Sequence, residues 1–301
     1  MKVPQTAIIT GANGGLGLGC ARALLRRDGD WHVALAVRDP VRAADALAEL
    51  RAPARCTVLP LDLASLRSVR QFAERYAAAQ LPPTHALICN AGIQVVSRTE
   101  FTEDGIELTF GVNHLGHFAL VTGMLGQLVR PARILIVSSD THDPSRAAGM
   151  PAPRYESADA LAHPPASHSA VDGRRRYTTS KLCNVLFTYE LNRRLKGEDV
   201  TANAFNPGLM PGSGLARDYN GIQRFAWRFA LPALRVLPQV NSTATSGTRL
   251  AALAADERYA AVSGVYFDGL KPSRSSEDSY DQVKARDLWE TSEQLVNGGA
   301  V

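Results

Sequence analysis

The sequence predicts an α/β fold, a doubly wound parallel sheet of about seven strands with helices on both faces. Three observations predict it. The glycine-rich stretch Thr10-Gly11-Ala12-Asn13-Gly14-Gly15-Leu16-Gly17 follows the apolar run Ala7-Ile8-Ile9 and opens a helical pattern. Short apolar runs then alternate with amphipathic stretches through the first half of the chain, the pattern of repeated strand–helix units. Those runs are apolar almost throughout, as strands covered on both faces must be. Together they describe a Rossmann-type sheet. With no internal repeat and no linker-like stretch, residues 1–301 read as one domain.

Taken in order, residues 6–10 form a first strand and 15–27 a helix carrying Leu16, Cys20, Ala23 and Leu24 at helical spacing. A second strand at 32–37 precedes a helix at 42–50. The third strand, 57–59, leads through Asp62 into a helix at 65–79. The fourth strand is 86–89, a long helix runs from about 105 to 128, and 133–137 is the fifth strand. The pattern breaks over 140–176, where five prolines and the run Arg174-Arg175-Arg176 fall, so a loop insertion is expected there. Helical spacing returns from Tyr177 to Lys196. A strand at 200–205, the turn Asn206-Pro207-Gly208, a helix at 243–255, a strand at 265–267 and a helix at 282–296 complete the chain.

The composition is that of an ordinary globular chain: 45% of its 301 residues are hydrophobic and 21% charged. Its net charge of +4 suits an anionic small ligand and is too small and dispersed for nucleic acid. The four cysteines, Cys20, Cys56, Cys89 and Cys183, form no C-x-x-C pair and no metal-type cluster. They read as small apolar residues in a reducing compartment, and no metal is expected. The N-terminus enters a strand directly, without a targeting pattern, which places the protein in the cytoplasm. No apolar run reaches the roughly 20 residues that a membrane span needs.

Four separated segments fit one task. They are the glycine turn, Asn90-Ala91-Gly92 at the end of the fourth strand, Ser138-Ser139 at the end of the fifth, and Tyr177-x-x-x-Lys181 opening a helix. In a doubly wound sheet the strand C-termini meet along one crevice, where ligands bind. A helix N-terminus after a glycine turn offers free N–H groups and a positive dipole end to a phosphate. A side chain at Gly11 or Gly17 is expected to fill the space that a pyrophosphate needs. Tyr177 and Lys181, four residues apart, share a helix face. A phenol with a free pKa of about 10 is a poor acid near neutrality, and an adjacent ammonium lowers that value. Held with a serine hydroxyl, such a tyrosine polarises a carbonyl and protonates the alkoxide that hydride transfer produces.

This set of TGANGGLG, NAG, a strand-end serine and Y-x-x-x-K resembles the short-chain dehydrogenase/reductase superfamily over almost the whole chain. The resemblance implies that Tyr177 is the acid/base, that Lys181 tunes it and holds the nicotinamide ribose, and that Ser139 orients the substrate oxygen. It implies that Asn113, in V-N-H-L-G-H-F, completes a proton relay, that Asp62 contacts the adenine and that Asn90 lines the cofactor channel. It extends the expected cofactor contacts to Thr10, Gly11, Asn13, Gly14, Gly15, Leu16 and Gly17, to Arg38, to Leu63, to Ala91 and Gly92, and to Pro207, Gly208 and Ser213. His114, His117 and His142 read as structural.

The second strand ends in Val37-Arg38-Asp39. An NAD enzyme of this type places an acid at the strand end for the ribose 2′-hydroxyl, whereas a guanidinium matches a 2′-phosphate. NADP(H) is therefore expected, with Arg42 adding charge one turn on. The runs L-D-L-A-S-L-R-S-V-R-Q-F, N-H-L-G-H-F, S-K-L-C-N-V-L and K-A-R-D-L-W-E-T-S-E-Q-L-V are similar to the light-dependent protochlorophyllide oxidoreductases, and many are shared with retinol dehydrogenase-like enzymes. The chain departs from the former at Leu209, where that branch carries a cysteine after the Pro-Gly turn. The substrate is expected to be a hydrophobic ketone or aldehyde, covered by a segment at about 209–240 rich in Phe225, Trp227, Phe229 and Leu231. Light-driven ring reduction and a non-catalytic NADP(H) sensor are the alternatives. Basic residues among those aromatics suggest membrane contact, against which Pro232 and Pro238 interrupt any long helix. A homo-oligomer, dimer or tetramer, is implied by the resemblance through helices at about 105–128 and 177–196.

Overall fold

A computed structural model describes residues 3–27, 30–146, 149–210 and 241–298. Among them eight strands form one sheet in the order β3-β2-β1-β4-β5-β6-β7-β8. The strands are β1 (Gln5–Thr10), β2 (Trp31–Val37), β3 (Cys56–Pro60), β4 (Thr84–Cys89), β5 (Leu128–Val137), β6 (Val200–Asn206), β7 (Tyr266–Asp268) and β8 (Lys271–Ser273). Each neighbouring pair from β3 through β7 is parallel, and β8 closes the edge antiparallel to β7. The eighth strand is one more than expected. A three-residue return after the tight turn at Gly269 (φ 63°) is too short to carry a sequence pattern.

The strand order reverses between β1 and β4, with Ile9 paired both to Leu35 of β2 and to Ile88 of β4. That reversal is the place where loops on the two sides diverge and leave a crevice. Alternate residues of β1 enter different cores. Ile8 joins Phe72, Leu87, Phe118, Ile134 and Leu186 on one face. Ala7 and Ile9 join Leu24, Leu35, Ile88 and Leu250 on the other. Full burial of each such side chain is worth about 1.5–3 kcal/mol.

Helices α1 (Gly15–Leu25) and α2 (Ala43–Leu50) lie with α8 (Thr243–Ala255) on the second face. Contact between α1 and α8 is close enough to require glycines. A Cβ on Gly247 would lie 2.4 Å from the Gly19 carbonyl carbon. The first face carries α3 (Leu66–Ala78), then α4 (Leu108–Phe110), a π-helical turn at Gly111–Leu115 and α5 (Gly116–Met124), and then α7 (Ala170–Arg194). The closing helix α9 (Gln282–Gly298) covers α5 and α7. Its Trp289 ring sits 5.0 Å from Phe118 and 5.8 Å from Phe187, with the Arg194 guanidinium 4.3 Å above it. The apolar faces of these two long helices, expected to pack on something, are thus covered within the same chain.

Three expected boundaries move. β5 begins at Leu128, five residues early, because Arg130-Pro131 lies inside the strand and hides its pattern. The expected loop at 140–176 holds a short helix α6 (Ala158–Ala162) and ends at Ser169. The Ser169 side chain accepts from the Asp172 N–H and starts α7, so Tyr177 lies two turns inside that helix and does not open it. Of the expected covering segment at about 209–240, residues 211–240, Ser213 among them, lie outside the described residues. Among the described residues no helix is long and apolar enough to cross a membrane, and no metal-type cluster occurs.

Candidate active site

At the end of β1 the chain turns left-handed at Gly11 (φ 66°) and again at Gly15 (φ 54°), the first residue of α1. The expected reason for two of the glycines needs correction. A Cβ on Gly17 would lie 2.6 Å from both the Gly11 carbonyl oxygen and Asn90 Nδ2, and one on Gly11 would lie 3.2 Å from Ala91 Cα. Those positions are glycine so that the turn can close on itself and on the end of β4. The open positions are Gly14 and Gly15, where an added Cβ meets nothing within 4 Å. No side chain caps α1, and its first internal hydrogen bond is donated by the Leu18 N–H to the Gly14 carbonyl. An uncapped helix end behind an open glycine turn is a seat for an anion. Leu16 is buried beneath it and Asn13 is exposed at its rim.

The turn is pinned to β4. Asn90 Nδ2 donates to the Thr10 carbonyl at 2.7 Å, and Thr10 Oγ1 accepts from the N–H groups of Asn90 and Ala91, each at 2.9 Å. Thr10 Oγ1 then has its own proton left to give, and His117 Nε2 lies 2.9 Å away. The other ring nitrogen, Nδ1, faces the Asn113 carbonyl at 3.2 Å, which assigns the imidazole proton to Nδ1. Burial pushes the His117 pKa down to about 4, and the nearby Lys181 charge acts the same way. His114, buried on the same helical stretch, is pushed down to about 3 by burial and by His117. Both imidazoles are neutral structural groups.

Asn113 occupies the π-helical turn. Its Oδ1 accepts from the Ile93 N–H at 2.8 Å, while Nδ2 donates to the Ile93 carbonyl and to Ser180 Oγ, both at 2.9 Å. These bonds join the exit of β4 to α7.

The two serines at the end of β5 separate cleanly. Ser138 is buried and donates its Oγ–H to the Lys181 carbonyl at 2.7 Å. Ser139 is half-buried, and its Oγ meets Asp140 Oδ1 at 3.2 Å and the Thr141 N–H at 3.3 Å. On α7, Lys181 Nζ donates to the Val137 carbonyl at 3.2 Å and lies 5.6 Å from the centre of the Tyr177 ring. It is 3% exposed, and burial lowers its pKa to about 8. A Cβ on Gly92 would lie 3.5 Å from the same Nζ, so β4, β5 and α7 meet at this ammonium.

At the far end of the crevice Arg38 and Arg42 are exposed where β2 stops. Asp39 Oδ1 accepts from the N–H groups of Val41 and Arg42, at 3.0 and 3.3 Å. Asp62 Oδ1 accepts from the Ala64 N–H at 3.0 Å, and Leu63 is buried against Gly116. On the opposite rim Gly208 (φ 76°) donates its N–H to Asn206 Oδ1, and the Pro207 carbonyl accepts from Asn241 Nδ2 and Ser246 Oγ.

Some contributors escape the sequence. Asn184 Nδ2 shares the Val137 carbonyl with Lys181, at 3.0 Å. His142 Nδ1 faces the Ser139 carbonyl, while its Nε2 accepts from the Ser276 N–H at 3.1 Å. Asn184 stands three residues after Lys181 on the same buried helix face, a spacing that could have flagged it. The partner of His142 is more than a hundred residues away, and nothing local announces it.

The comparisons with known proteins agree on one lineage. The family model for short chain dehydrogenase matches residues 5–151. Protochlorophyllide reductase A, chloroplastic, of Hordeum vulgare is 39% identical over 313 residues, covering 96% of this chain and 79% of that protein. The WW domain-containing oxidoreductase of Danio rerio is 36% identical over 301 residues, covering 97% and 68%. A Mycobacterium paratuberculosis protein of solved structure matches with a TM-score of 0.72 at 31% identity, over 98% of this chain and 96% of that one. A blue fluorescent protein from a metagenomic library, solved in complex with NADPH, matches with a TM-score of 0.64 at 25% identity, over 88% and 96%.

Proposed function

The chain belongs to the short-chain dehydrogenase/reductase family, in the branch that holds protochlorophyllide reductase and the WW domain-containing oxidoreductase, and from that premise we propose that it is an NADP(H)-dependent oxidoreductase acting on a hydrophobic ketone or aldehyde, or on the corresponding alcohol in reverse. One observation supports the reading: Lys181 Nζ, bonded to the Val137 carbonyl two residues before Ser139, lies 5.6 Å from the centre of the Tyr177 ring, beside Gly92 at the exit of β4.

The residues present fit the cofactor. The open positions at Gly14 and Gly15 and the uncapped end of α1 suit its pyrophosphate. Exposed Arg38 and Arg42 suit a 2′-phosphate, while Asp39 turns its Oδ1 to the N–H groups of Val41 and Arg42 at the start of α2. Asp62, Leu63, Pro207 and Gly208 would flank its two ends. When bound, the nicotinamide supplies or takes the hydride. A relative solved with NADPH supports the choice.

The chain supplies the rest. The Ser139 hydroxyl donates a hydrogen bond to the substrate oxygen and fixes it in place. The Tyr177 O–H gives that oxygen its proton as charge builds there, and takes it back in the oxidative direction. Lys181, held by the Val137 carbonyl, places a positive charge beside the phenol and stabilises the phenolate left behind. Asn113 positions Tyr177 indirectly, through Ser180 Oγ, which in turn donates to the Tyr177 carbonyl at 2.7 Å. The four free cysteines support a reducing, cytoplasmic setting. A homo-oligomer, as the family pattern suggests, would use a surface other than the one Trp289 covers.

A panel of ketones, aldehydes and alcohols with NADPH and NADH tests the reading. Tyr177→Phe is expected to lower turnover about 100-fold or more while NADPH still binds, measured by the change in its fluorescence. Turnover that survives the substitution removes Tyr177 from the chemistry. A second reading, light-driven reduction of a tetrapyrrole ring double bond, is favoured by the 39% identity to the Hordeum vulgare protein. Illuminating the protein with NADPH and protochlorophyllide tests it, and an unchanged absorption spectrum would eliminate it.

A further inference from the structure

The run Arg174-Arg175-Arg176 forms the turn of α7 just before Tyr177, and two of its three cations are accounted for. Arg175 Nη1 lies 3.3 Å from Asp172 Oδ1. Arg176 Nε lies 3.2 Å from Glu107 Oε1, a carboxylate 1% exposed, and Arg176 Nη2 donates to the Arg98 carbonyl at 2.9 Å. Arg174 has no hydrogen bond or ion pair among the described residues, and its Nε is buried without an acceptor. A desolvated guanidinium N–H with no acceptor is costly in the absence of a ligand.

Helix geometry says what Arg174 stands next to. Seven residues along an α-helix return to within about 20° of the same direction, roughly 10 Å further on. Arg174 therefore continues the strip that Thr178 and Lys181 form, with Tyr177 beside it. Both Thr178 and Lys181 are buried. The helix cannot slide to place Arg174 elsewhere. A Cβ on Gly173 would lie 2.5 Å from Val96 Cα and 2.7 Å from the Val95 carbonyl, so this turn is pressed on the chain leaving Asn90-Ala91-Gly92.

We infer that Arg174 is the anion-binding end of the substrate site: it takes a carboxylate carried by a hydrophobic substrate whose reacting carbon lies at Tyr177. The inference rests on the proposed role of Tyr177 and narrows the substrate class from hydrophobic carbonyl compounds to those that also bear an acid. Arginine suits the task because its planar fork matches a carboxylate with two parallel hydrogen bonds.

Calorimetry with laurate and with 1-dodecanol, at saturating NADPH, tests this without turnover. Laurate is expected to bind the wild-type protein about tenfold or more tightly than Arg174→Gln, with Arg174→Lys between them. Dodecanol is expected to bind wild type and Arg174→Gln alike. The inference is overturned if wild-type protein does not bind laurate, or if Arg174→Gln binds it as wild type does. It is overturned equally if laurate and dodecanol weaken together, or if only NADPH affinity changes, since either places Arg174 on another task. Laurate carries no ketone or aldehyde to reduce, so its binding is independent of the chemistry. Lost discrimination alongside Tyr177-dependent turnover rejects the anion site alone, and the opposite pattern rejects the chemistry alone.

Discussion

Arg38 and Asp39 are adjacent in sequence and do different jobs. The aspartate folds back onto the start of α2, and the arginine is left facing solvent where β2 ends. If Arg38 meets the 2′-phosphate, Arg38→Ala is expected to raise the KM for NADPH about tenfold or more while leaving that for NADH within about twofold, which steady-state kinetics with both cofactors would check. Equal losses with both would assign Arg38 to something common to them. At this scale the sequence is informative where spacing alone brings groups together. Tyr177 and Lys181 share a helix face whatever surrounds them. Ser139 is preferred to Ser138 only through resemblance, and sequence does not show that Ser138 is buried and bonded to the Lys181 carbonyl. The two partners of His117, Thr10 and Asn113, depend on a fold that no local pattern encodes.

Elements were legible by type and less so by extent. Helix α8 has the expected bounds, because its apolar spacing is regular and Ser242 caps it with a hydrogen bond from the Thr245 N–H. Helix α7 starts seven residues earlier than its pattern suggests. Gly173 and three arginines look like a loop until Gly173 is seen to allow contact with Val96. The π-helical turn is invisible in sequence because it obeys the same apolar spacing as its flanks, yet it carries Asn113. Helix α9 owes its place to Trp289, which is 6% exposed among Phe118, Phe187 and Arg194. Trp289→Ala is expected to cost about 3–5 kcal/mol of unfolding free energy by urea denaturation. A loss below about 1 kcal/mol would mean that α9 is held elsewhere, for instance through Asp287, which accepts from the Tyr155 hydroxyl and the Ala158 N–H.

For the whole molecule the buried imidazoles set a pH dependence. Burial lowers the pKa of His114 to about 3 and of His117 to about 4, and it lowers that of His142 as well. An unfolded histidine titrates near 6.5, so below that pH the unfolded chain binds more protons than the folded one. Stability therefore falls as pH drops below about 6.5, by up to about 1.4 kcal/mol per pH unit for each histidine, and levels off only below the folded values. The urea midpoint is expected to fall between pH 7 and pH 5, and a flat profile would mean that these rings titrate in the folded protein as they do in the unfolded chain. The parallel sheet and the crevice at its strand ends followed from alternation and the glycine turn, whereas the order of strands and the in-chain cover over α5 and α7 did not, because non-adjacent pairings and the reach of α9 from the end of the sequence leave no local pattern. One last feature bears on how such a protein diversifies. Where the chain leaves the sheet after β6 and returns before α8, its two sides are tied together: the Asn241 N–H donates to the Leu209 carbonyl, and Asn241 Nδ2 and Ser246 Oγ both donate to that of Pro207. Whatever lies between is spliced in across a closed gate. Its length can change at a small cost in loop closure without retuning the strands behind it.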